Sequence, residues 1–384
     1  MALGRQKKPV VDPTTVDPDA AVPPALKIAG AYSWRILVVL GVLAVFVFLI
    51  IQFKYIVIPL MVAILVAALL IPLVNFLVRH RWPRGLAVAL AMVGTIAIVA
   101  GLIYVIVSQI RSGYPDLEAR SVTAFEDFKV FLLDSPLHLS EADINNYIGQ
   151  AFAALQADGQ ALLSGALSVG STAGHVVAGL LLTLFATLFI IIDGKGIWRW
   201  VVGLFPRRAR QAVDGSGKAG WITLTTFVKV QIFVAAVDAI GIGLGAWILG
   251  LVFGGFPLVI PIAIAVFLGS FIPVVGAVVT GAIAVFVALV YLGPVPALIM
   301  VGIVLLVQQV EGHVLQPLVM GTAVKVHPLA VVFAVAAGSF IAGIPGALFA
   351  VPVIAVANIM IKFIASGDWR THPNPTAEEI LPHA

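Results

Sequence analysis

Residues Gly269–Ala277 read GSFIPVVGA and residues Gly338–Ala347 read GSFIAGIPGA, each inside a long apolar run. In both copies the shared GSFI is followed by a proline and a glycine: Pro273 and Gly276 in the first, Gly343, Pro345 and Gly346 in the second. Proline removes a backbone donor and clashes with the preceding helical turn, while glycine accepts the backbone angles a reversal needs. The two stretches therefore predict the tips of two helical hairpins, residues 256–292 and 328–361. Each arm has 16 to 19 residues, a reach of roughly 24–28 Å at the helical rise. The tips should lie deep in a bilayer, and the charge pattern allows either re-entrant or fully spanning arms.

The surrounding composition supplies that bilayer. Of 384 residues 61% are hydrophobic and only 10% charged, well above the apolar share of a soluble domain, about 45–50%. Runs of about 20 apolar residues cross a hydrocarbon core as helix, and they fall at about residues 34–53, 55–78, 86–107, 173–192, 221–253 and 295–314. The apolar residues are contiguous, which excludes a barrel. The predicted fold is an all-α polytopic membrane protein of about six full spans plus two Pro/Gly-broken helical hairpins in an inverted repeat.

Loop charge sets the expected orientation. Arg79, Arg81 and Arg84 flank one loop, and residues 193–220 carry six Lys/Arg against Asp193 and Asp214. Residues 109–174 instead carry eight acidic and three basic side chains, a net charge of −5. Basic loops stay in the cytoplasm, so the acidic stretch faces outward. The expected organisation is a disordered cytoplasmic tail (1–33), a three-helix membrane unit (34–108), an extracytoplasmic amphipathic segment (109–172), a fourth span with a basic loop (173–220), a transport core of two inverted helix-plus-hairpin units (221–363) and a cytoplasmic C-terminal tail (364–384). Both termini are expected on the cytoplasmic side of a bacterial inner membrane.

Inverted repeats with interrupted segments in matching places point to a transporter site near the midplane. Irregular backbone at that depth must be buried in protein or line water, which makes Ser270, Phe271, Pro273, Gly276, Ser339, Phe340, Gly343, Pro345 and Gly346 the candidate path. Charges within a bilayer helix are costly and face a cavity or a partner. Lys229, Gln231 and Asp238 on the fifth helix, with Gln308, Gln309, Glu311 and Gln316 around the end of the sixth, are thus candidate coupling residues. A Lys229–Glu311 ion pair is the expected contact; the bland alternative leaves Glu311 and His313 in interfacial water.

Other signals carry no chemistry. GIGLGA at residues 241–246 lacks the strand and acidic partner of a dinucleotide site, and Gly241 and Gly245 read better as a close-packing face. There are no cysteines and seven scattered histidines, so no metal site, cofactor or enzymatic centre is expected. The net charge of +4 sits in short loops, which argues against nucleic acid. The expected partners are the lipid bilayer, a small-molecule substrate and a proton or sodium ion.

The run VQQVEGHVLQPLVMGTAVKVHPLAVVFAVAAGSFIAGIPGALFAVPVIAV, with FVKVQI and FIPVVGA before it, resembles the autoinducer-2 exporter family. Similarity is strongest over residues 227–357. The resemblance implies export of the autoinducer-2 furanone or a related solute, and homo-oligomers; some members act as sodium/proton antiporters. Where the family usually has Arg, this chain has Lys229, which keeps the charge and loses the planar fork. The expected function is secondary transport by alternating access, with an antiporter, a channel and a non-transporting scaffold presenting the acidic segment as alternatives.

Overall fold

A computed structural model describes residues 23–133, 169–272, 275–313 and 327–380. The described residues are helical throughout, with no strand among them: α1 (Pro24–Gln52), α2 (Lys54–Arg79), α3 (Arg84–Leu133), α4 (Val169–Gly203), α5 (Arg210–Phe253), α6 (Val259–Gly269), α7 (Val275–Leu292), α8 (Pro294–Val310), α9 (Pro328–Ser366), a short 3₁₀ turn (Asp368–Arg370) and α10 (Ala377–Ile380). Seven of these helices are long and apolar enough to cross a membrane. The chain is an all-α polytopic membrane protein. The N-terminal tail, Pro273, Gln316 and most of the acidic segment lie outside the described residues. The chain through Lys54, including α1, is a unit by itself.

In the second unit α2, α3 and α4 close on small and branched side chains, with Ala67, Leu70, Ala87, Val88 and Ile191 at the seam. The fourth helix kinks at Asp193 (φ −134°, ψ 35°). That kink frees carbonyls, and the Arg84 guanidinium donates to two of them, Ile191 O at 3.2 Å and Ile192 O at 3.0 Å. Asp193 then caps the helix that resumes, its Oδ1 accepting from the Gly196 amide at 3.2 Å, as an N-cap carboxylate does. The third helix runs unbroken past Gly113 and Pro115 to Leu133, where the sequence predicted a span ending near Val107 and separate helices beyond it. It packs against α6 and α7, and the Arg120 guanidinium lies 5.5 Å over the Tyr291 ring.

The long α5 is the axis of the remaining helices. Among apolar surroundings, helices associate by close packing of small residues rather than by the hydrophobic effect, and α5 shows why. A methyl added to Gly241 or Gly245 would run into Val307 or Ile303 of α8; one added to Gly243 would meet Ala263 of α6, and one added to Gly220 would meet Val356 and Met360 of α9. The close-packing face read at residues 241–245 is therefore present, and it receives α8. After α5, Gly254 and Gly255 both take left-handed backbone angles (φ 109° and 111°) and return the chain into α6.

Two hairpins lie against this axis. In the first, α6 has 11 residues and α7 has 18, so the incoming arm is shorter than the 16 to 19 residues expected. In the second, α9 breaks at Ala342 and Gly343, the latter at φ 64°. The sequence placed that break on Pro345; the structure puts Pro345 in the first turn of the resumed arm, where its missing amide leaves no bond unmade. The arms run over residues 328–341 and 344–366. Both hairpins close in the same way, with Gly269 against Gly276 and Gly338 against Gly346, backbone on backbone, so that a methyl on Gly276 or Gly346 would land on the partner's carbonyl oxygen. Ile272, at the first tip, packs into the cluster formed by Phe227 and Val228 of α5 and Val335 and Ala347 of α9.

Candidate functional site

Gln231, Asp238 and Gly245 recur every seven residues on α5, close to two helical turns, and so share one face. Gln231 and Asp238 are both buried, Asp238 at 2% exposure. The face is covered by the tip of the first hairpin. The Gln231 Nε2 donates to the Ser270 carbonyl at 2.7 Å. The Ser270 Oγ lies 3.0 Å from Asp238 Oδ2 and 2.8 Å from the Val266 carbonyl. Tip and axis are thus joined through both the backbone and the side chain of one serine. The second carboxylate oxygen, Asp238 Oδ1, is buried with no hydrogen-bond partner among the described residues.

The packing of α5 on α8 fixes what stands opposite. Gly245 meets Ile303 and Gly241 meets Val307, an antiparallel register advancing four residues on each helix. One further step pairs Val237 with Glu311, which brings Glu311 to the turn that carries Asp238, close enough for the two carboxylates to interact. Glu311 is half-buried at the end of α8 and His313 is exposed just beyond it. The sequence paired Glu311 with Lys229 instead. Lys229 is exposed, and no ion pair joins it to Glu311 among the described residues. The reason is helical phase: two residues turn the helix by about 200°, so Lys229 points away from the face that carries Gln231 and Asp238.

One turn before Glu311, Gln308 lines an apolar groove of about 390 Å³ between α7 and α8, floored by Ala277, Gly281 and Val304. The groove begins immediately after the first tip. Phe271 is half-buried and packs edge-on against Phe267, with ring centroids 5.7 Å apart. Gly276 is buried, and its carbonyl accepts from the Thr280 hydroxyl at 2.8 Å. The second tip has a different character. Ser339 donates to Val335 O of its own helix at 2.8 Å, and Phe340 and Ile344 are 96% and 73% exposed. Gly343 is exposed, and Pro345 and Gly346 are half-buried. Gln309 is exposed, its carbonyl 3.3 Å from His313 Nδ1. The structure therefore brings Gln231, Asp238 and Ser270 together, sets Glu311 near Asp238, places Gln308 in the groove between α7 and α8, and leaves Ser339 and Lys229 apart.

Three contributors were not read from the sequence. Gly269 and Gly338, the first residues of the two GSFI copies, close the hairpins, and their repetition was the available signal. Arg120 braces Tyr291 near the C-terminal end of α7, a contact between distant segments with no sequence signature.

The family model described as AI-2E family transporter matches residues 37–366. "Putative transport protein MT0215" of Mycobacterium tuberculosis (strain CDC 1551 / Oshkosh) is 38% identical over 350 residues, covering 91% of this chain and 94% of the relative. YrrI of Bacillus subtilis (strain 168), also named as a putative transport protein, is 24% identical over 342 residues, 85% of this chain and 94% of its own. The AI-2 transport protein TqsA of Escherichia coli (strain K12) is 25% identical over 339 residues, 87% of this chain and 93% of its own. With a family match over residues 37–366, most of its length, the chain belongs to the AI-2E family of transporters.

Proposed function

We propose that the protein exports a small polar or amphiphilic solute of the AI-2 type across a bacterial inner membrane by alternating access. The solute class follows from the name of the TqsA relative together with a groove that is apolar except for Gln308. The observation that carries the mechanism is the attachment of the first tip. It is held to α5 by Gln231 and Asp238, directional polar bonds that form and break as a unit.

In this reading both hairpins are re-entrant. With 11 residues, α6 reaches about 16 Å, half of a hydrocarbon core of about 30 Å. Basic loops at Arg79–Arg84 and around residues 193–220 stay in the cytoplasm, so the first hairpin enters from outside and the second from inside. The Arg120–Tyr291 contact then lies on the outer surface. One inverted unit moving against the other exposes the Gln308 groove to each side in turn.

The test is uptake of AI-2 into inside-out vesicles containing the protein. Saturable accumulation that Gln308→Leu reduces supports the reading, and passive equilibration alone contradicts it. A second reading, a cation/proton antiporter, is favoured by the neighbouring carboxylates of Asp238 and Glu311. It predicts proton flux driven by a sodium gradient in liposomes without any organic solute.

A further inference from the structure

Asp238 is the most buried ionisable side chain in the polar cluster, and the hydrogen bonds around it do not balance if it is an anion. The Ser270 hydroxyl carries one proton and has two oxygen atoms within bonding distance, the Val266 carbonyl at 2.8 Å and Asp238 Oδ2 at 3.0 Å. Two acceptors cannot share one hydroxyl proton at full strength. The Gln231 amide donates to the Ser270 carbonyl, and no hydrogen bond joins it to Asp238 among the described residues. An ionised Asp238 would also leave Oδ1 buried without a partner, and a buried charge lacking hydrogen bonds is among the costliest arrangements in a protein interior. A neutral carboxyl resolves this: Oδ2–H donates to Ser270 Oγ, whose own proton goes to Val266 O, and Oδ1 becomes the carbonyl oxygen of an uncharged group.

We propose that Asp238 is a proton-binding site that latches the first hairpin: with the proton on Asp238 the tip is held on α5, and loss of the proton releases it. The step balances simply, since one proton leaves the carboxyl for water, the carboxylate remains, and the single Ser270 hydroxyl proton is then contested by Asp238 Oδ2 and Val266 O. The freed carboxylate then requires water, which the tip must move aside to admit. This rests on the transporter reading for its consequence, namely that the movement of the solute path is coupled to a proton.

The groups facing Asp238 fit such a role. Neither α6 nor the tip-side half of α7 carries an ionisable residue; Tyr291 stands at the far end of α7. From the end of α8, Glu311 lies close enough to interact with Asp238 and His313 follows two residues on, both nearer to solvent than Asp238. On α9 the ionisable groups are His327 and Lys362 at its two ends, and on α4 Asp193, Lys195 and Arg199 lie near the kink, so no cation opposes Asp238 from these helices. Glu311 is therefore the acidic group through which a proton exchanges between Asp238 and water.

The test is hydrogen–deuterium exchange of the full chain in nanodiscs, following the peptide over residues 264–276 at acidic and alkaline pD and correcting for intrinsic exchange. In the unmodified protein the tip should lose protection at least tenfold on going to alkaline pD. Asp238→Asn, whose amide donates to Ser270 as a protonated carboxyl does, should stay protected at both values, and Asp238→Ala should stay open at both. Unchanged protection of peptides from α2 and α3 shows that each variant is folded. A tip in the unmodified protein that does not respond to pD, or an Asp238→Asn tip that responds as the unmodified one does, overturns the latch. Because exchange is read without any solute, failure of AI-2 uptake together with a working latch would count against the export reading alone.

Discussion

Gly338 and Gly346, eight residues apart, lie backbone against backbone, whereas in one continuous helix that separation spans about 12 Å. The reversal between them makes α9 a hairpin, and the same closure by Gly269 and Gly276 gives the two inverted units a common construction. What differs is the attachment. The first tip is tied to α5 by Gln231 and Asp238, while Ser339 of the second, among the described residues, bonds within its own helix.

The glycine closures tolerate no side chain. Gly276→Ala or Gly346→Ala forces a methyl onto a carbonyl oxygen, and overpacking of this kind costs about 1–3 kcal/mol or more. Each variant should melt below the unmodified protein in detergent, whereas Gly302→Ala, with open space around it, should not. Equal melting of all three would contradict the closure.

Replacing Gln231 by Leu keeps the volume of the side chain and removes the donor to Ser270 O. An unsatisfied buried acceptor costs about 1–3 kcal/mol, so the tip peptide should exchange faster by one to two orders of magnitude while α2 and α3 are unaffected.

The kink in α4 depends on Arg84. In Arg84→Ala the Ile191 and Ile192 carbonyls lose their donor, and the segment around Asp193 should become accessible to proteolysis and deuterium exchange. Arg84→Lys should restore only part of the protection, since an ammonium lacks the planar fork.

Lys229 offers the reverse case. It is exposed and has no ion pair with Glu311 among the described residues, so Lys229→Ala should change stability by no more than about 0.5 kcal/mol. A double-mutant cycle with Glu311→Ala should give no coupling. A coupling well above 1 kcal/mol would restore the pair expected from the sequence.

The spans were legible because a helix in lipid needs an uninterrupted apolar run, and these runs are long. The hairpins were legible from the repeated GSFI, but not the position of the second break, because Gly343, Pro345 and Gly346 all allow one. The partner of Asp238 was hidden for a different reason. Ser270 follows it by 32 residues, and the contact depends on the register of α5 against α6, set by where the Gly254–Gly255 turn reverses the chain. The position of Lys229 is legible: the seven-residue spacing of Gln231, Asp238 and Gly245 marks the buried face, and Lys229 falls outside it.

The claim that the first tip moves as the solute path changes sides is tested most directly by a single cysteine at Ile272, in a chain that has no other, labelled in vesicles with a membrane-impermeant thiol reagent. The account predicts slow labelling at rest and a several-fold faster rate, on one side only, under an AI-2 gradient. Labelling that is equally fast from both sides, or indifferent to the gradient, would show a static tip and contradict it.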